Sequence, residues 1–135
     1  MQSPNISTSP PALLAVGLSK GTIVFLDISN ESTLSIHCRF SYHRERITEI
    51  IAVSDTSSSS GLLLSVCAEL KLNVTKLQAD SITCVYSCYL TGEVSLYAPL
   101  SGSEGLIFAC NKDSGEMNVL CVTDKGIPMG GRNAV

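Results

Sequence analysis

The chain has 135 residues, 44% of them apolar, enough for one compact domain with a buried core. Nine basic against twelve acidic residues give a formal charge of -3 and no basic stripe, so nucleic acid is not expected as a direct partner. The longest apolar runs, such as residues 12–18 and 61–64, fall far short of the roughly 20 residues of a membrane-crossing helix, and no membrane insertion is expected.

Residues 1–11 contain Pro4, Pro10, Pro11 and four serine or threonine residues, which predicts a flexible lead-in. They lack the positive segment and the small-residue cleavage site of a signal peptide. The six cysteines are accordingly expected to be reduced thiols of a cytoplasmic protein, with the nucleus left open, rather than three disulfides. Glycosylation sequons begin at Asn5, Asn30 and Asn73, but Asn73 falls inside an expected strand, so chance accounts for them better.

From Ala12 onward, short runs rich in Val, Ile, Leu, Thr and Tyr are separated by turn residues every eight to twelve positions. No helical period is sustained, which predicts an all-β fold. Strands are expected over 13–18, 22–28 and 34–42, then 47–53, 62–68, 72–77 and 82–90, then 94–100, 106–110 and 117–123. Three of these segments, 13–17, 63–67 and 106–110, share one pattern and bring Gly17, Cys67 and Cys110 into register, 50 and then 43 residues apart. Propeller blades recur at about 40–50 residues. The longer first interval contains the serine run at 55–61, expected to be a solvated loop. The first unit lacks its innermost strand, the second is complete, and the third stops before an outer strand. That count gives about two and a half four-stranded antiparallel blades over residues 12–124. A flexible tail is expected over 125–135, too glycine-rich for a regular strand.

The segment Leu14-Ala15-Val16-Gly17-Leu18-Ser19-Lys20-Gly21-Thr22-Ile23-Val24-Phe25-Leu26-Asp27 resembles the second strand, turn and third strand of a WD40 repeat, with Leu26-Asp27 where that family usually has Trp-Asp. Gly21 suits the turn, where positive φ is needed. His43 stands before Ile47-Thr48-Glu49-Ile50 as the family's histidine stands before its innermost strand. The resemblance implies that Ser65 supplies the hydroxyl for that histidine. Tyr42 replaces the glycine before it, Glu69 occupies the turn-acid region, and Lys76-Leu77 and Leu120-Cys121 replace the remaining Trp-Asp pairs. The resemblance implies a partial WD40-like β-propeller, with His43, Ser65, Gly21 and Asp27 as structural residues.

Chemistry is not expected. Cys67 and Cys110 occupy equivalent repeat positions, which suits small core residues and not a single nucleophile beside His43. Cys84 and Cys88, four apart on the same face of an expected strand, form one loose pair, and no second pair completes a zinc site. The glycines form neither a phosphate loop nor a turn opening a helix, so no cofactor is expected. His43-Arg44-Glu45-Arg46 sits in a loop expected to share one end of the sheets with Lys20 and Lys71. Lys20, Arg44, Arg46 and Lys71 are therefore the candidate partner-binding rim. The expected function is a non-catalytic scaffold for protein or peptide partners in a multi-protein assembly. The alternatives are a secreted, disulfide-bonded β-sandwich module and an enzyme built on a propeller scaffold.

Overall fold

A computed structural model describes residues 12–30, 32–53, 61–78, 81–99, 105–127 and 132–133; the lead-in 1–11 and the serine run at 55–60 lie outside it. Eleven antiparallel strands form three sheets, and no helix occurs among the described residues. The first sheet orders β1 (Leu13–Gly17), β2 (Thr22–Asp27) and β3 (Ser35–Ser41). The second orders β4 (Ile47–Val53), β5 (Gly61–Cys67), β6 (Lys71–Gln78) and β7 (Ser81–Tyr89). The third contains β8 (Val94–Tyr97), β9 (Leu106–Asn111), β10 (Met117–Cys121) and β11 (Arg132–Asn133). The ten strands expected from the sequence all form, with ends shifted by up to three residues.

Three expectations change. The third sheet does not stop before an outer strand, because Arg132 and Asn133 pair with Val119 and Asn118. The segment just after β10 also belongs to the fold: Gly126 bridges Thr123, and Ile127 packs on the core. The Cys84–Cys88 geometry differs as well. Thr75 pairs with Cys84 and Val74 with Tyr86, so Val85 is an extra residue in the ladder. That bulge breaks the two-residue alternation and turns the two thiols to opposite faces of the sheet.

The second sheet is covered on both faces. Along β5 every residue from Leu62 to Cys67 is buried, in contrast to the alternation of a half-exposed strand. Leu62, Leu64 and Val66 join Leu72, Val74, Leu96, Ile107 and Val122 in the core shared with the third sheet. Leu63 points the other way, to Ile23 and Phe25 of the first sheet. A sheet that fills two cores in this way is the middle member of a stack, the arrangement of neighbouring propeller blades.

The end faces are less covered. Leu14 lies opposite Leu26, and Leu26 opposite Ile36, so these three make an apolar stripe across the first sheet. Leu14 is 49% and Ile36 54% exposed, on the face turned away from the second sheet. In purified chain this stripe is expected to drive self-association, seen as concentration-dependent sedimentation. Leu14→Lys with Ile36→Lys should shift the species toward monomer without loss of β-sheet circular dichroism. A monodisperse wild-type monomer across the concentration range would show that the stripe is covered within one chain.

Candidate functional site: the rim of the blade junctions

Because the strands are antiparallel, β1, β3, β5, β7 and β9 end where β2, β4, β6, β8 and β10 begin. The hairpin turns at 18–21, 68–70 and 112–116 and the inter-sheet loops at 42–46 and 90–93 therefore lie at one end of the sheets. Backbone hydrogen bonds tie them together. Ile47 N–H donates to Leu18 O (3.2 Å), Ala68 to Arg46 (2.8 Å), Leu90 to Leu70 (2.8 Å) and Lys112 to Glu93 (2.9 Å).

Gly21 has φ +91°, and a Cβ there would clash with the His43 carbonyl oxygen. Both the positive φ and the close backbone approach require glycine. This contact presses the first turn against the loop carrying His43. The ring is 4% exposed, and its Nε2 lies 2.9 Å from Ser65 Oγ, itself 1% exposed. Nδ1 is buried without a hydrogen-bond partner among the described residues. Glu69, in the position of the family's turn acid, makes no hydrogen bond to it, so either neutral tautomer leaves one ring nitrogen unsatisfied.

A second buried polar group supports the same loop. Asn73, 1% exposed in β6, donates to Tyr42 O (3.2 Å) and accepts from the Ser87 hydroxyl (2.6 Å). The sequence presents Asn73 only as a sequon; its signal as a structural residue is a lone amide inside the apolar run of β6. Asp27 lies away from the rim. Its carboxylate accepts from Ser29 at the opposite end of the sheet (2.9 Å), and that hydrogen bonding lowers its pKa.

Lys20, Arg44, Arg46 and Lys71 all stand at the rim end. Arg46 alone of the four lines a cleft of about 260 Å³ at the junction of the second and third sheets. Val66, Leu70 and Val94 contribute its apolar lining, with the Cys67 side chain turned to the opposite face of β5, while Glu93 and Lys112 join Arg46 as its charged lining. Glu93 and Lys112 were not singled out in the sequence, because their convergence depends on the packing of two sheets. Leu70 is held at φ +69°, where the equivalent turns use Gly21 and Gly115. A leucine in the left-handed region is strained, and such strain collects at functional positions.

The described residues contain no cluster of three or more His, Cys, Asp and Glu side chains suited to a metal, and no helix long and apolar enough to cross a membrane. All six cysteines are free thiols, and three stacked sheets replace the two of a β-sandwich. The fold is that of a partial WD40-like β-propeller. Among solved structures, the WD40 domain of SCAP from fission yeast is similar to this chain, with a TM-score of 0.62 at 16% identity. The match covers 90% of this chain and 29% of that one, so the present chain spans under a third of the other's length. No family model matches the sequence. No curated protein matches it either.

Burial, then the nearby charge of Lys71, pushes the His43 pKa down from 6.5 to about 4, against the opposing pull of Glu69 and the Ser65 hydrogen bond. Between those values the unfolded chain binds more protons than the folded one, so stability rises with pH. The contribution is fully present above about pH 6.5 and lost as pH falls toward 4; at roughly 1.36 kcal/mol per pKa unit it is at most on the order of 3 kcal/mol. His43→Ala should cost about 1–3 kcal/mol at pH 7 by leaving Ser65 unpaired. It should also flatten the acid slope of the denaturation midpoint across that window. A variant that keeps the wild-type slope would assign the acid sensitivity to other groups.

Proposed function

We propose that this chain is a scaffold without chemistry of its own, capturing a peptide segment of a protein partner at the rim and acting in a multi-protein assembly. The observation that carries this reading is the cleft at the second junction, with its apolar lining and the charges of Arg46, Glu93 and Lys112. An apolar anchor side chain suits that lining, and an adjacent acidic residue suits the two cations. Arg44, Lys20 and Lys71 extend the basic side of the rim toward the first junction, where they act by steering encounter rather than by filling a pocket. The WD40-like fold supports a protein-binding role in general.

The test is affinity capture compared across variants. Arg44→Glu with Arg46→Glu should weaken recovery of bound proteins on the order of tenfold, whereas Gln78→Lys at the opposite end should not. Leu70→Gly relieves the strained turn but strips apolar lining from the cleft, so capture should fall while the melting temperature holds or rises. Equal recovery by wild type and both rim variants would place the binding surface elsewhere.

The cytoplasm is the compartment we propose. Six unpaired thiols support a reducing environment. Mass measurement after alkylation under non-reducing conditions should find all six cysteines of protein taken from cells modified. Finding pairs protected as disulfides would instead favour an oxidising compartment.

A further inference from the structure

Glu49 of β4 reaches out of its own sheet. Its Oε1 accepts from the Leu96 N–H of β8 at 2.9 Å, a charge-assisted hydrogen bond between the second and third sheets. Pairing parity explains why that N–H is available. Lys112 N–H donates to Glu93 O, so Glu93, Ser95 and Tyr97 direct their backbone groups to β9, and Val94 and Leu96 direct theirs away from it. Leu96 is only 8% exposed, and a buried donor there without a partner would be costly.

The side chain reaches the third sheet because β4 is bulged. Ile47 pairs with Cys67 and Glu49 with Val66, which leaves Thr48 as an extra residue. In an unbroken strand residues 47 and 49 would share a face. With the bulge, Ile47 packs with Ile50 on the core of the first junction, whereas Glu49 turns with Ile51 and Val53 toward the second junction. Thr48 is held in the bulge by its hydroxyl, which donates to Val66 O at 3.2 Å.

This hydrogen bond joins the two walls of the rim cleft. Arg46 and Thr48 stand just before Glu49 on one wall, and Glu93 and Val94 just before Leu96 on the other. Among the described residues one other side-chain link joins these sheets, Lys76 to Asp124 at 3.6 Å, at the end away from the rim and partly exposed. We propose that Glu49 is a positioning residue of the rim cleft, a role that rests on the rim reading of that cleft. Burial of apolar faces is non-directional and leaves two sheets free to slide, whereas a hydrogen bond fixes one register. By holding β8 to β4, Glu49 sets the spacing between Arg46 and the Glu93 and Lys112 side, and so the spacing a partner peptide must match.

The test compares Glu49→Ala, Glu49→Gln and the double variant Arg44→Glu with Arg46→Glu, all in the full chain. Amide hydrogen exchange read residue by residue needs no partner. Glu49→Ala should speed exchange at Leu96 and Lys112 by at least about tenfold and leave Leu64 and Val74 within about twofold of wild type. Glu49→Gln keeps an oxygen acceptor at the same reach and should hold Leu96 within about threefold. In affinity capture, Glu49→Ala should lower recovery of bound proteins about as far as the arginine reversal does, and Glu49→Gln should keep most of it. Unchanged exchange at Leu96 would overturn the proposal, and so would an equal rise at all four amides, which marks general loss of stability. Capture weakened by the arginine reversal but not by Glu49→Ala would overturn it while leaving the rim reading intact. Capture unaffected by either would remove the rim reading and this role of Glu49 with it.

Discussion

The two-sided burial of the second sheet is the constraint on which the other features depend. β5 can bury consecutive residues only because successive side chains point to opposite faces, each with a neighbouring sheet to receive it. Leu64, fully buried, fixes the position of the third sheet, and Leu63 that of the first. Apolar area removed from water stabilises at about 25 cal/mol per Å², so separating either neighbour would re-expose one half of every such strand. The relative placement of the sheets thus follows from the same side chains that define the strands.

Polar residues appear at the ends of this apolar stack. Ser65 and Asn73 occupy positions in β5 and β6 that face the first junction, and each is fully buried. They are tolerated there because His43 and the Tyr42 carbonyl supply partners. The effect is to hold the 42–46 loop across the gap between two sheets, with Gly21 leaving space for its backbone. Arg44 and Arg46 are presented from a loop fixed at its base and exposed at its tip, the usual division between scaffold and binding surface. Burying the ring without a hydrogen bond from Glu69 leaves Nδ1 of His43 unsatisfied, and burial makes the ring resist protonation.

Within each sheet, neighbour relations were legible in the sequence because they are local. Alternating and continuous apolar runs, divided by turn residues, located ten strands, and the recurrence of Gly17, Cys67 and Cys110 located the repeat. Where local pattern was weak, the reading failed. Arg132–Asn133 follows a glycine-rich stretch and forms a strand only because β10 offers an unpaired edge. The bulge at Val85 is invisible in composition, yet it separates the faces of Cys84 and Cys88. Leu70 also escaped, because nothing in its residue type announces a positive φ.

By itself the sequence determined the all-β class, the order of the strands, the pairing of His43 with Ser65 implied by the WD40 resemblance, and the charged character of the loops. These depend on side-chain period and turn chemistry over a few residues. Only the tertiary structure decided that Arg46 meets Glu93 and Lys112 around one cleft, and that a second groove opens between the first and second sheets. Both features are spaces between sheets. Their shape depends on how far two packed surfaces approach, a quantity set by side chains from four or more strands together and therefore absent from any one segment of the chain.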